Sequence, residues 1–157
     1  MITDNQTKLR IQGRTITVTR LFDAPIELMW RTWTEPNLIK HWWGPDGFTN
    51  TITKMEVKPG GTWEFIMHGP GGKDYENKNI YKEVHPLEKI VFEDETGSGF
   101  QTTVILKEQD GQTLVQVTML FGSEDQLKFS VENFKADEGL KQNMDKLAKY
   151  LIEINSK

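Results

Sequence analysis

The fold of this chain is decided by the segment Lys58-Pro59-Gly60-Gly61-Thr62-Trp63-Glu64-Phe65-Ile66-Met67. Two glycines after a proline are typical of a tight turn, because glycine adopts the positive φ angles that such turns need. In the strand that follows, Trp63, Phe65 and Met67 alternate with other residues and therefore lie on one face. The segment predicts a hairpin whose second strand presents large apolar side chains, either as plain core or as the wall of a ligand cavity.

The sequence on both sides of this hairpin predicts further strands, because alternating and β-branched residues favour extended structure. The predicted strands are Thr15 to Phe22, Thr49 to Val57, Thr62 to His68, Tyr75 to Val84, Lys89 to Glu93, Phe100 to Glu108 and Leu114 to Phe121. Turn signals such as Gly69-Pro70-Gly71-Gly72 and Asp110-Gly111 separate them. These short connections predict an antiparallel sheet of about seven strands.

Helical periodicity is found after the first strand and again at the end of the chain. A helix is predicted to begin after Asp23-Ala24-Pro25, and a second one near Thr34 that ends at Gly44-Pro45. Ser123 and Gln126 are spaced to cap a short helix. A longer helix follows from about Ala136 to Ile154, with an apolar stripe on one side. Helices on one face of an antiparallel sheet make an α+β fold.

Composition narrows the class of protein. The 157 residues suit one domain over residues 1–157, in which 1–12 are polar and expected to be partly flexible. A formal net charge of −4 without a basic stripe argues against nucleic-acid binding, and no apolar run is long enough for membrane insertion. There is no cysteine, which excludes disulfides and thiolate chemistry. Because the first residues lack an apolar signal segment, we expect a cytoplasmic protein.

Four motifs carry a resemblance to a known family. They are Arg20-Leu21-Phe22-Asp23-Ala24-Pro25 leading into Trp30, His41-Trp42-Trp43-Gly44-Pro45-x-Gly47-Phe48, Glu56-x-Lys58-Pro59-Gly60-Gly61-x-Trp63, and Gly139-Leu140 followed by Leu147-Ala148-x-Tyr150-Leu151. With these motifs the chain resembles the SRPBCC (START-related) superfamily, specifically the branch homologous to the C-terminal domain of the activator of the heat-shock-protein-ninety ATPase. Two residues depart from the pattern, since the family often has Trp at Leu140 and Arg at Lys58.

The resemblance implies the helix-grip fold, a curved antiparallel sheet wrapped around a long C-terminal helix with a cavity between them. It fixes no function, because relatives include co-chaperone domains, polyketide cyclases and lipid carriers. We predict that the cavity binds a small apolar or aromatic ligand. The candidate ligand-binding residues are Trp42, Trp43, Phe48, Trp63, Phe65, Met67, Tyr75, Met119, Phe121, Phe129, Phe134 and Met144. Core packing is the competing interpretation of the same side chains.

Trp42 and Trp43 raise a question of direction. Adjacent residues on a helix point about 100° apart, so the two rings are not expected to face one core. One of them is therefore expected to border the cavity mouth or the surface, and the sequence leaves open which one.

The sequence predicts no catalytic site, metal or cofactor. The three histidines lack metal-site spacing, and no nucleophile elbow is present. Tyr75, Asn79 and Tyr81 share a strand face and are candidates for hydrogen bonds to a ligand, although solvent-facing positions are the favoured interpretation for most of these polar residues. The pattern does not show which face of the sheet the nearby carboxylates lie on; these are Glu56, Glu64, Glu93 and Asp94.

Two alternatives to ligand binding stay open. One is an interaction module acting on a chaperone ATPase, which the resemblance implies. The other is a cyclase or hydrolase that uses the cavity as a template, although no acid–base pair is visible in the sequence.

Overall fold

Eight strands and four helices make up the described part of the chain, residues 6–96 and 99–155 of a computed structural model. The strands are β1 (Lys8–Gln12), β2 (Thr15–Phe22), β3 (Thr49–Met55), β4 (Thr62–His68), β5 (Asp74–His85), β6 (Lys89–Asp94), β7 (Gln101–Gln109) and β8 (Gln112–Leu120). The helices are α1 (Ile26–Thr34), α2 (Pro36–Ile39), α3 (Glu124–Phe134) and α4 (Ala136–Asn155).

All eight strands form one antiparallel sheet in the order β1-β2-β8-β7-β6-β5-β4-β3. The pairing of β2 with β8 joins distant parts of the sequence, with Thr15 opposite Leu120 and Phe22 opposite Thr113. The other pairings join neighbouring strands through short connections, as the turn signals predict. The curved sheet packs against the long C-terminal helix, so the predicted helix-grip fold is confirmed.

Helix α4 supplies one side of the core. Its residues Leu140, Met144, Leu147 and Leu151 are at most 6% exposed and pack with buried side chains from one face of the sheet, which we call the inner face. Lys141, Lys149 and Glu153 of α4 are exposed, as expected of the polar side of an amphipathic helix. Within the described residues, no helix is both long and apolar enough to span a bilayer. The cytoplasmic location stays a prediction.

The sheet has one strand more than the sequence predicts. Strand β1 lies in the segment 1–12 that was expected to be partly flexible, and Lys8 to Gln12 pair with β2 at the edge of the sheet. All five residues of β1 are exposed, so the strand has no buried face to mark it in the sequence. Residues 1–5 lie outside the described residues.

Gly61 allows the chain to pass very close to itself at the start of β4. Hydrogen bonds join Gly60 N to Tyr81 O at 2.8 Å and Tyr81 N to Gly61 O at 2.9 Å, which hold the turn against β5. A Cβ on residue 61 would overlap the carbonyl oxygen of Glu56. The second glycine of the Pro-Gly-Gly motif is therefore required by backbone contact.

We expect Gly61→Ala to lower the free energy of unfolding by about 2–4 kcal/mol, because the added methyl must displace rigid backbone. Urea denaturation followed by circular dichroism measures this. Gly71→Ala is the matched control, since nothing lies within 4 Å of its Cβ position, and it should change stability by less than about 0.5 kcal/mol. Equal stability of the two variants would contradict the overlap.

Candidate ligand-binding site

A cluster of aromatic side chains fills the space between the short helices and the inner face of the sheet. We call it the aromatic cluster, and its members are Trp33, Trp42, Trp43, Trp63, Phe65, Tyr81 and Phe92. Trp63 is central, with its ring centroid 4.5 Å from that of Phe65, 5.0 Å from Trp43 and 5.5 Å from Phe92. Offset and edge-to-face contacts at these distances are favourable for aromatic rings.

Trp42 and Trp43 both join this cluster, so the expectation that the two rings do not face one core is wrong. That one of them borders a cavity mouth stays a prediction. Helix α2 ends at Ile39 rather than at Gly44-Pro45, and the two tryptophans follow it in a turn, where the helical angle of 100° does not apply. Their ring centroids lie 4.7 and 5.9 Å from that of Trp33. Both rings can therefore reach the same core.

The two tryptophans have different roles within the cluster. Trp42 is fully buried and donates Nε1–H to Thr32 O at 3.0 Å, which anchors the turn to α1. Trp43 is only partly buried and reaches across to Trp63 and Phe92 on the sheet. Trp43 is therefore the one that faces the inner face of the sheet.

Three buried polar atoms in the cluster have no hydrogen-bond partner among the described residues. They are Trp33 Nε1, Trp63 Nε1 and Tyr81 Oη, on residues that are 2% exposed or less. Burial also raises the pKa of Tyr81, so its hydroxyl stays neutral and keeps its proton. An unsatisfied buried donor costs about 1–3 kcal/mol. Such atoms are rare in native proteins and need an explanation.

Two further buried polar residues lie in register with Trp63. On the inner face, Trp63 of β4 lies opposite Asn79 of β5, and Asn79 lies opposite Asp94 of β6. Asn79 is 6% exposed and Asp94 is 7% exposed. We call Trp63, Asn79 and Asp94 the polar row. Tyr81 is two residues from Asn79, so its hydroxyl-bearing ring is on the same face of β5.

Asp94 is held by the chain that follows it. One carboxylate oxygen, Oδ1, accepts from Thr96 N at 3.2 Å and from Thr96 Oγ1 at 2.9 Å. Among the described residues, no lysine, arginine or histidine forms an ion pair with Asp94. The sequence named Asn79, Tyr81 and Asp94 as polar candidates, and the structure brings all three to the inner face.

Helix α4 is clamped to the loop that carries Trp43. Asn143 Oδ1 accepts from Gly44 N at 2.9 Å. The ammonium group of Lys146 donates to the carbonyl oxygens of Gly44, Pro45 and Phe48 at 3.1 to 3.3 Å. Burial lowers the pKa of Lys146, and the charge of Asp46 opposes that shift.

These contacts of Asn143 and Lys146 were not predicted from the sequence. A signal for Asn143 was present, because Leu140, Asn143, Met144 and Leu147 follow at i, i+3, i+4 and i+7. Asn143 is therefore a polar residue on the apolar face of a helix, and buried polar residues are normally hydrogen-bonded.

Other predicted ligand-binding residues lie around the cluster. Met67 is partly buried, and its Cε is 2.8 Å from where a Cβ on Gly44 would be. Met144 is fully buried in α4. Phe121 is buried against Phe100 at a centroid distance of 5.7 Å, and Met119 is partly buried beside the same core.

Phe48 and Tyr75 form a separate pair at the margin of the site. Their ring centroids are 6.0 Å apart, and neither ring contacts the aromatic cluster among the described ring pairs. Tyr75 is 43% exposed. These two residues are therefore placed at an outer rim, near the loop that α4 clamps.

Phe129 and Phe134 do not complete the inner wall, and that expectation is wrong. They contact each other on α3 at a centroid distance of 5.8 Å and are 57% and 73% exposed. Leu127 and Val131 supply the apolar face of this helix instead. Phe129 is two residues from Leu127, which is about 200° around the helix. This angle turns Phe129 away from the core, and Phe134 is exposed as the last residue of the helix.

A groove of about 270 Å³ lies elsewhere, along strands β4 and β5. Its lining includes Glu64, Glu76 and Lys78, whose side chains alternate along the strands with those of the inner face. It is too polar for the predicted ligand. Within residues 6–96 and 99–155, no group of three histidine or acidic side chains could hold a metal ion.

Comparison with known families agrees with this architecture. Residues 23–152 match the family described as Activator of Hsp90 ATPase homolog 1-like protein. The chain belongs to this family. The resemblance drawn from the Trp-Trp-Gly-Pro and Pro-Gly-Gly-x-Trp motifs is thereby confirmed. No curated protein matches the chain at a significant level.

Solved structures show the same fold at low identity. A solution structure of a protein from Arthrobacter aurescens has a TM-score of 0.86 at 22% identity, covering 93% of this chain and 91% of that chain. A crystal structure from Mycobacterium smegmatis has a TM-score of 0.82 at 22% identity, covering 97% and 98%. The AHSA1 protein from Silicibacter pomeroyi has a TM-score of 0.70 at 18% identity, covering 88% and 97%. The family fold supports a ligand-binding or interaction domain in general terms.

The buried hydroxyl of Tyr81 predicts a pH dependence of stability. The raised pKa means that the unfolded chain releases this proton first, near the ordinary value of 10.0. Stability from this group is thus complete below about pH 10 and is lost as the pH rises above it. We expect Tyr81→Phe to flatten the fall in the free energy of unfolding between about pH 9 and pH 11, measured by urea denaturation.

Tyr75→Phe is the control for this measurement, because Tyr75 is 43% exposed. It should keep the wild-type slope. A wild-type slope in Tyr81→Phe would show that the hydroxyl is not buried in solution.

Proposed function

We propose that this protein binds a small apolar ligand, aromatic or aliphatic, at the aromatic cluster between the short helices and the inner face of the sheet. The observation that carries the proposal is the pair of buried donors Trp63 Nε1 and Tyr81 Oη, which have no partner among the described residues. Ligand pockets combine mostly apolar walls with a few polar groups that orient the ligand. The cluster has this composition.

The aromatic rings supply the apolar part of the site. Trp43, Trp63 and Phe65 present ring surface from both the helical side and the sheet side. Flat or flexible apolar molecules gain dispersion and hydrophobic energy from such surface. The mild negative charge of the chain gives no attraction to nucleic acid, which we therefore do not propose as a partner.

The ligand enters beside the loop that carries Trp43. Trp43, Phe48 and Met67 are partly buried, whereas Trp42, Trp63 and Met144 are almost completely buried. The partly buried side chains can move aside with less loss of packing. The hydrogen bonds of Asn143 and Lys146 hold this loop to α4 and so set how far it opens.

Two uncharged probes test this proposal, 2-naphthol and 1-decanol, titrated into the protein by calorimetry. We expect saturable binding of at least one probe to the wild type. Trp63→Phe should weaken that binding about 3- to 10-fold, because it keeps an aromatic ring but removes one donor. Trp30→Phe is the matched control, since Trp30 is outside the cluster on α1, and it should bind like the wild type. No saturable binding of either probe to the wild type would refute the proposal.

A second candidate function is contact with an Hsp90-type chaperone. The family description favours it, and so does the exposed pair Phe129 and Phe134, since exposed apolar side chains in contact are typical of protein interfaces. In this case the chain would present α3 to the chaperone, on a surface separate from the aromatic cluster.

The ATPase rate of a purified Hsp90-type chaperone tests this second candidate. We expect the wild-type protein to change the rate at least about twofold, and a variant with Phe129→Ser and Phe134→Ser to lose the effect. Lys128→Ser on the same helix is the control and should keep it. An unchanged rate with the wild-type protein would count against any chaperone role.

A further inference from the structure

The polar row requires hydrogen-bonding groups on a ligand, which the aromatic rings alone would not require. Trp63 Nε1–H is a donor only and has no partner among the described residues. Tyr81 Oη–H, on the same face, is also without a partner there. A ligand that satisfies these atoms must offer a hydrogen-bond acceptor.

The opposite end of the row has the converse chemistry. Asp94 carries acceptors only, and Thr96 occupies one of its oxygens, Oδ1, with two hydrogen bonds. A buried carboxylate is stabilised by further donors. Because Asn79 lies between Trp63 and Asp94 in the register, a ligand head group at the middle of the row meets donors on one side and an acceptor on the other.

The charge of Asp94 also discriminates between ligand head groups. Asp94 is 7% exposed and, within residues 6–96 and 99–155, has no cationic partner. A carboxylate ligand brought beside it would be repelled, and at low dielectric that repulsion is poorly screened. An ammonium group would be attracted to Asp94 but would leave the donor of Trp63 without an acceptor. A neutral group that both donates and accepts can accept from Trp63 or Tyr81 and is not repelled by Asp94.

We infer that the ligand of this site carries an uncharged head group with both a donor and an acceptor, a hydroxyl or a carboxamide, and that Asp94 excludes carboxylates. The inference rests on the proposed function, because it concerns the same site. It names the chemical class of the ligand head and assigns a specificity-determining role to Asp94.

Four probes that share one ring system test the inference: naphthalene, 2-naphthamide, 2-naphthoate and 2-naphthylmethylamine, titrated by calorimetry at neutral pH. We expect 2-naphthamide to bind the wild type at least about tenfold more tightly than either ion. Asp94→Asn should reduce the gap between 2-naphthamide and 2-naphthoate to less than about threefold, because it removes the charge and keeps the shape.

Glu93→Gln is the matched control. Glu93 is the preceding residue on β6, its side chain lies toward Lys82, and it alternates to the other face of the sheet. The change in net charge equals that of Asp94→Asn, so a general electrostatic effect would appear in both variants. We expect Glu93→Gln to keep the wild-type preference, with circular dichroism confirming that both variants fold.

A second variant covers the case in which Asp94→Asn fails to fold. Trp63→Phe should weaken 2-naphthamide about 3- to 10-fold more than it weakens naphthalene, because only the amide uses the donor. Equal losses for the two probes would overturn the inference.

The outcomes distinguish failure of the head-group inference from failure of the proposed ligand site. If naphthalene binds, and 2-naphthoate or 2-naphthylmethylamine binds as tightly as 2-naphthamide or more tightly, the head-group inference alone is overturned. An unchanged preference in folded Asp94→Asn would also overturn it. If none of the four probes binds the wild type, the proposed ligand site itself fails.

Discussion

Two backbone hydrogen bonds between Tyr81 and the Pro-Gly-Gly turn hold the start of β4 against β5, and the inner face depends on them. They fix the register in which Trp63 lies opposite Asn79, because a shift of one residue would turn every side chain of β4 to the other face. The turn that carries these bonds is possible only without a Cβ at Gly61, because a Cβ there would overlap the carbonyl oxygen of Glu56. A glycine in a turn thus determines which side chains meet in the core.

The helical side of the aromatic cluster is likewise held by hydrogen bonds to backbone. Asn143 and Lys146 bind the backbone of the loop that follows Trp43, so α4 and this loop form one unit. Their partners are backbone atoms, which means that the contact specifies the path of the loop and not its side chains. Trp43 is thereby held against Trp63 on the sheet. The aromatic cluster is the meeting point of two separately fixed layers.

Sequence patterns predicted those elements that have one buried face. Strand β4 and helix α4 were predicted closely because their apolar residues recur at periods of 2 and 3.6. Strand β1 was missed because none of its residues is buried. Phe129 and Phe134 were assigned to the wall by residue type. The angular position of Phe129 relative to Leu127 places it outside, whereas Phe134 has nearly the angular position of Leu127 and is exposed as the last residue of α3.

Only those features of the candidate site that follow from the alternation of side chains along a single strand were predictable from the sequence. Asn79 and Tyr81 lie two residues apart on one strand, so their common face follows from the sequence. Asp94 belongs to the next strand, and its alignment with Asn79 requires the register of β5 with β6, which shifts between Tyr81 and Glu83. A register shift of this kind has no sequence signature here. The direction of Trp43 was likewise not predictable from the sequence, because it depends on the end of α2 at Ile39.

Under the proposed function, the polar row distinguishes a recognition surface from an ordinary core. Phenylalanine fills the same volume as tyrosine without a hydroxyl, and an interior selected for stability alone would not retain donors that cost about 1–3 kcal/mol each. Trp63, Asn79 and Asp94 are cross-strand partners on three adjacent strands, so the three residues share one part of the inner face. Neighbouring donors and an acceptor can be satisfied together by one small group. That arrangement is costly in a closed core and useful in a site that must discriminate between head groups.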